Sequence, residues 1–80
     1  MEYNQEKVAD AVLALLMLTM HDESEYGAAA WKQFDWSILN VLYERGLIAD
    51  PRNKKKSVSL TTKGVQESRK LFRELFCDEE

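Results

Sequence analysis

Between Ala11 and Met20 every residue but Thr19 is apolar. Asn4 is placed to cap a helix running through this stretch to about Met20, with Glu6 in its positive first turn. Val8, Val12, Leu15, Leu16 and Met20 recur at helical spacing, while Leu13, Met17 and Leu18 fill the other faces. A helix apolar nearly all round has to be buried on more than one side. A chain of 80 residues makes one domain, 1–80, with a marginal core. Two arrangements would cover the extra face: helices of the same chain wrap it, or a second copy docks on it. For the second, a homodimer, the expected interface is Leu13, Met17, Leu18, Phe72 and Phe76.

The remaining elements follow from local signals. His21 to Tyr26 is polar and reads as a loop closed by Gly27. Ala28 to Phe34 reads as a short second helix, with Trp31 and Phe34 three apart; for Trp31 and Trp36, core or staple packing is favoured over base stacking. Asp35 caps a third helix, Trp36 to Arg45, which Gly46 ends. So short a link between the second and third helices implies a sharp crossing, the helix-turn-helix geometry. Leu47 to Ala49 then pairs with Ser57 to Leu60, where Val58 and Leu60 alternate with Ser57 and Ser59. Thr61 caps a last helix, in which Gly64 permits close approach to the hairpin. The expected fold is mainly α with a small β-hairpin: a winged helix-turn-helix, in the order helix, helix, helix, strand, strand, helix.

Charge is uneven along the chain. The formal net charge is −3. Residues 1–50 carry nine acids against three bases, and residues 51–80 carry eight bases against five acids. Such asymmetry can focus a field on one face of an acidic protein. The basic cluster Arg52, Lys54, Lys55 and Lys56 sits in a turn-rich loop that begins at Asp50-Pro51. Met1 to Lys7 lack a secretory pattern, and the longest apolar stretch is about half of the roughly 20 residues a bilayer requires. A soluble, cytoplasmic protein that does not engage membranes is expected.

From Leu42 to Gly64 the chain resembles the recognition helix and wing of MarR-type winged-helix regulators. The residues that carry the likeness are Leu42-Tyr43-Glu44-Arg45-Gly46-Leu47-Ile48, Asp50-Pro51-Arg52 and Ser57-Val58-Ser59-Leu60-Thr61-Thr62-Lys63-Gly64. The resemblance implies a DNA-reading helix, a basic wing and a dimer. Over nearly the whole chain, Trp31-Lys32, Phe34-Asp35-Trp36, Arg45-Gly46, Asp50-Pro51 and Lys56-Ser57 resemble a family of small bacterial proteins of unknown function. That likeness implies no biochemistry.

If the partner is duplex DNA, Ser37 and Asn40 face the major groove from helix 36–45, where Asn40 can pair with adenine. Arg52, Lys54, Lys55 and Lys56 on loop 50–57 then neutralise phosphates. A hairpin tip that simply carries solvated charge accounts for the same residues without a ligand. The alternative function is a protein-interaction or dimerisation module that presents the acidic first half or the apolar first helix to a protein partner. No phosphate loop, HExxH helix or CxxC pair is present, so no enzyme, metal or cofactor is expected. His21 stands alone in an acidic loop. Cys77 lies beside Asp78, Glu79 and Glu80, whose charge disfavours a thiolate.

Overall fold

The computed structural model describes residues 1–78; Glu79 and Glu80 lie outside the described residues. The elements are α1 (Gln5–Leu16), a 3₁₀ turn (Met17–Thr19), β1 (His21–Ser24), β2 (Gly27–Trp31), α2 (Trp36–Glu44), β3 (Ser57–Leu60) and α3 (Thr62–Phe76). The helix starts follow the capping residues. Asn4 accepts the Lys7 N–H at 3.1 Å, Asp35 accepts the Ser37 N–H at 3.2 Å, and Thr61 accepts the Gly64 N–H at 3.0 Å. Gly46 ends α2 with φ +75°, a conformation that costs other residues a Cβ clash.

The expected four-helix order is overturned. The described residues form three α-helices and a three-stranded antiparallel sheet, in the order α-β-β-α-β-α, a mixed α/β arrangement. The segment expected as a second helix, Ala28 to Phe34, is β2 and the link after it, and the expected loop before it is largely β1. Two strands, β1 and β2, stand between α1 and α2, so among the described residues no helix directly precedes α2 to form a helix-turn-helix with it, and the likeness to MarR-type regulators does not extend to the fold. The expected wing is also replaced. β3 pairs along its length with β2, from Ala28 opposite Leu60 to Trp31 opposite Ser57. Leu47 to Ala49 contributes one bridge, Ile48 to Leu60, and the Ala49 N–H donates to the Ser59 carbonyl at 2.8 Å.

Two physical causes explain the change at β2. Alanine is a helix former, but three alanines carry little hydrophobic contrast, so their period-two alternation is faint in the sequence. The decisive contact is tertiary. Gly27, at φ +137°, lets β2 come so near β3 that a Cβ there would lie 2.1 Å from the Leu60 carbonyl oxygen. Only glycine permits that approach.

The sheet is buried on one face. Ala28, Ala30, Val58 and Leu60 point into the core with Leu13, Leu16, Ile38, Leu39, Leu42 and Ile48. Ala29, Trp31, Ser57 and Ser59 alternate onto the opposite face, joined by His21, which pairs with Ala29. α1 is wrapped largely within the chain: Ala9, Leu13, Ala14 and Leu16 are fully buried. The buried Ser68 hydroxyl donates to the Leu13 carbonyl at 2.7 Å, joining α3 to the last turn of α1. Gly64 seats α3 on the chain after α2, where a Cβ would meet the Leu47 carbonyl oxygen at 1.9 Å. No helix among the described residues is long and apolar enough to cross a membrane.

Candidate nucleic-acid interface

The basic loop is held from both ends. Pro51 is fully buried. Arg52 closes a fork on Asp50, with Nε to Oδ1 and Nη2 to Oδ2 each at 3.0 Å. Those hydrogen bonds hold the Asp50 carboxyl below its ordinary value and raise Arg52 further. From the exit of β2, Lys32 Nζ donates to the Pro51 carbonyl at 2.8 Å, the Asn53 carbonyl at 3.1 Å and Asn53 Oδ1 at 2.8 Å. The same Oδ1 accepts the Lys55 N–H at 2.9 Å. The loop backbone is therefore gripped by a cation, while Lys54, Lys55 and Lys56 remain exposed. Among the described residues none of these three pairs with a carboxylate.

The expected site residues are not equivalent in this setting. Arg52 is engaged by Asp50, leaving the three lysines as the loop's unpaired cations. On α2 the Ser37 hydroxyl donates to the Asp35 carboxylate, and Asn40 Nδ2 donates to Glu44 Oε1 at 2.6 Å. Both polar groups on that helix are satisfied by neighbouring acids. Arg45, at its end, turns back to Asp10 of α1 at 2.9 Å and lies 3.8 Å from Glu6.

Two tryptophans lie beside the loop rather than in the core. Trp31 is 44% exposed and Trp36 50% exposed, which corrects the expectation that both pack inside. Phe34 alone of that group packs against the core, half-buried. Because β2 is a strand, Trp31 alternates outward from Ala28 and Ala30, so the helical spacing that linked it to Phe34 has no meaning here. Trp31 lines an open cavity of about 420 Å³ with Lys55, Lys56, Lys32, Gln33 and Thr19. Its N–H is fixed by Thr19 Oγ1 at 2.9 Å, and its ring lies 5.7 Å from that of His21. Lys32 Nζ stands 5.7 Å from the centroid of the Trp36 ring. Lys32 is thus a candidate site residue not expected from the sequence, and Trp31 stands where the less favoured of its two expected roles, base stacking, would need it. The available signal was the outward position of Trp31 next to a basic residue, hidden by the wrong period.

His21 is half-buried, and its Nδ1 lies 2.8 Å from the Thr19 carbonyl. Among the described residues no three His, Cys, Asp or Glu side chains come together as a metal site. Of the residues expected at a dimer interface, Leu13 is buried inside its own chain, Met17 and Phe72 are half-buried, and Leu18 and Phe76 are exposed.

Comparison with known proteins agrees with the likeness spread along the chain. Residues 4–78 match the family described as "Domain of unknown function (DUF6429)". The chain is 54% identical over 76 residues to "Uncharacterized protein y4hR" of Sinorhizobium fredii (strain NBRC 101917 / NGR234), covering 95% of this chain and 97% of that relative. No solved structure matches it. With a match that runs from Asn4 to Asp78, the chain belongs to the DUF6429 family, a family of unknown function.

Proposed function

We propose that this protein binds nucleic acid through the phosphate backbone, with Lys54, Lys55 and Lys56 as the contacts. One observation carries the reading: three exposed ammonium groups, none paired with a carboxylate among the described residues, stand on a loop that Lys32 holds through three hydrogen bonds. A preorganised loop spends less ordering entropy on a ligand than a mobile one. The contact is one of charge rather than base reading, since Ser37 and Asn40 are committed to Asp35 and Glu44.

The test is binding to mixed-sequence duplex DNA across a salt series, beside the variant Lys54→Glu/Lys55→Glu/Lys56→Glu. With Arg52 held by Asp50, about three phosphates are neutralised, so the logarithmic salt slope is expected near −3. The variant should lose both affinity and slope. Negligible binding by the parent protein to any nucleic acid overturns the reading.

A second reading, association with protein, rests on a different observation: Leu18, Leu75 and Phe76 are exposed apolar side chains, Leu18 at 66%. A homodimer or a protein partner would cover them. Sedimentation of the parent protein and of Leu18→Glu decides it, a mass that falls to one chain in the variant being the supporting result.

A further inference from the structure

We propose that the nucleic acid bound is single-stranded, with a base stacked on Trp31 at the open face of the sheet while the neighbouring lysines hold its phosphates. The inference rests on the backbone-binding reading above and adds the class of strand.

The argument begins with the face itself. Ala29, Ser57 and Ser59 project small side chains from β2 and β3, with His21 of β1 on the same face beside Trp31. From this low surface rises one indole, Trp31, 44% exposed. Its backbone is anchored and its ring has one aromatic neighbour. Its backbone N–H is bonded to Thr19, and the His21 ring lies at 5.7 Å and 40° to it. An exposed indole offers a flat apolar surface on which a second ring can stack.

Charge selects what that second ring belongs to. The open cavity beside Trp31 is bordered by the cations Lys32, Lys55 and Lys56 and, among the described residues, by no acid. Its occupant should therefore be flat, aromatic and attached to negative charge. A nucleotide in a single strand meets all three conditions, and stacking on aromatic rings with phosphates in a basic groove is how such strands are held. A duplex meets only one, because its base faces are stacked inside. The protein also lacks what a duplex reader needs, since the outer polar groups of α2 are bonded to carboxylates.

The same face sets the length of the contact. Its other end is the β1–β2 hairpin, where the exposed Asp22 borders Ala29 and Ser59 and repels phosphate. The strand is confined to the Trp31 end and leaves along the lysine loop, a footprint of a few nucleotides. A protein of net charge −3 can hold a polyanion here because the lysines gather at one end of this surface, with Asp22 at the other.

The experiment measures fluorescence anisotropy of labelled oligothymidylate, oligouridylate and a duplex of equal length, each of about 12 nucleotides, at low salt. The parent protein, Trp31→Ala, Trp31→Phe and the triple lysine-to-glutamate variant are compared, with circular dichroism to confirm that each is folded. Either single strand should bind at least roughly ten-fold tighter than the duplex. Trp31→Ala should weaken single-strand binding by roughly ten-fold or more, as expected for loss of one stacked base, leave duplex binding unchanged, and be largely restored in Trp31→Phe. In a Trp36→Phe background, the strand should also quench the fluorescence of Trp31. Equal binding of duplex and single strands that is indifferent to Trp31 but lost in the triple variant overturns the single-strand inference and leaves the backbone reading standing. Absence of binding to all three polymers overturns both.

Discussion

Lys32 donates to the carbonyl of Pro51 at 2.8 Å, across 19 positions of sequence, and so joins the exit of β2 to the loop that carries the lysines. Replacing it with Met keeps the aliphatic stem and removes the donors for Pro51 and Asn53. The loop should loosen while the sheet persists, with a stability loss of about 1 kcal/mol, discounted because the group is partly solvated. Hydrogen exchange at the Lys55 amide, bonded to Asn53 Oδ1, should accelerate more than exchange within β2. Unchanged protection at Lys55 counts against the anchoring role.

Gly64 and Gly46 separate close approach from backbone conformation. A Cβ at Gly64 would stand 1.9 Å from the Leu47 carbonyl oxygen, backbone that cannot swing away, whereas one at Gly46 meets nothing within 4 Å. Gly64→Ala should cost more than about 3 kcal/mol, and in so small a domain can prevent folding. Gly46→Ala carries only the left-handed penalty, about 1 kcal/mol. Urea titration of both variants checks the order, and a milder effect at Gly64 contradicts the packing described.

Ser68 is the buried polar residue of the core, and its hydroxyl is bonded to the Leu13 carbonyl. Ser68→Ala removes the donor and leaves that carbonyl short of a partner in the last turn of α1, so about 1–2 kcal/mol should be lost. Ser59→Ala, on the exposed face, should change stability by less than about 0.5 kcal/mol. Similar midpoints for the two variants argue against the α1–α3 tie.

Asp50 has its carboxyl held below the ordinary value of 3.8, first by the side-chain hydrogen bond from Arg52 and then by the Arg52 backbone N–H. A depressed folded value means that the interaction stabilises fully above the ordinary carboxylate range and is lost as pH falls through the lowered value. A carboxyl titration followed by NMR should show Asp50 titrating below 3.8 and moving upward in Arg52→Ala. A titration indifferent to Arg52 removes the basis for treating that arginine as occupied.

The starts of the three helices and the end of α2 were legible because their causes are local, whereas α1, expected to reach Met20, gives way to a 3₁₀ turn after Leu16. Asn4, Asp35 and Thr61 cap through their own side chains, and Gly46 ends α2 through its own φ. The apolar run of α1 also stated its own requirement for burial on several sides, which the surrounding chain largely meets. The lysine loop could be found by composition alone. Its electrostatics could not: that Arg52 is held by Asp50, and that Lys32 grips the loop, depend on contacts invisible in the order of residues.

The segment around Ala28 marks the boundary between the two kinds of information. By itself, the sequence determined the three capped helices, an apolar core built on α1, the site of the basic loop, and membership of a family of small proteins of unknown function. Tertiary structure alone decided that Gly27–Trp31 is a strand, because alanine tolerates either backbone and the choice falls to pairing with β3. That one decision turned Trp31 outward, created the open sheet face and set an indole among lysines. A helix and a strand place side chains at different periods, so the candidate site appears only once long-range pairing has selected the period.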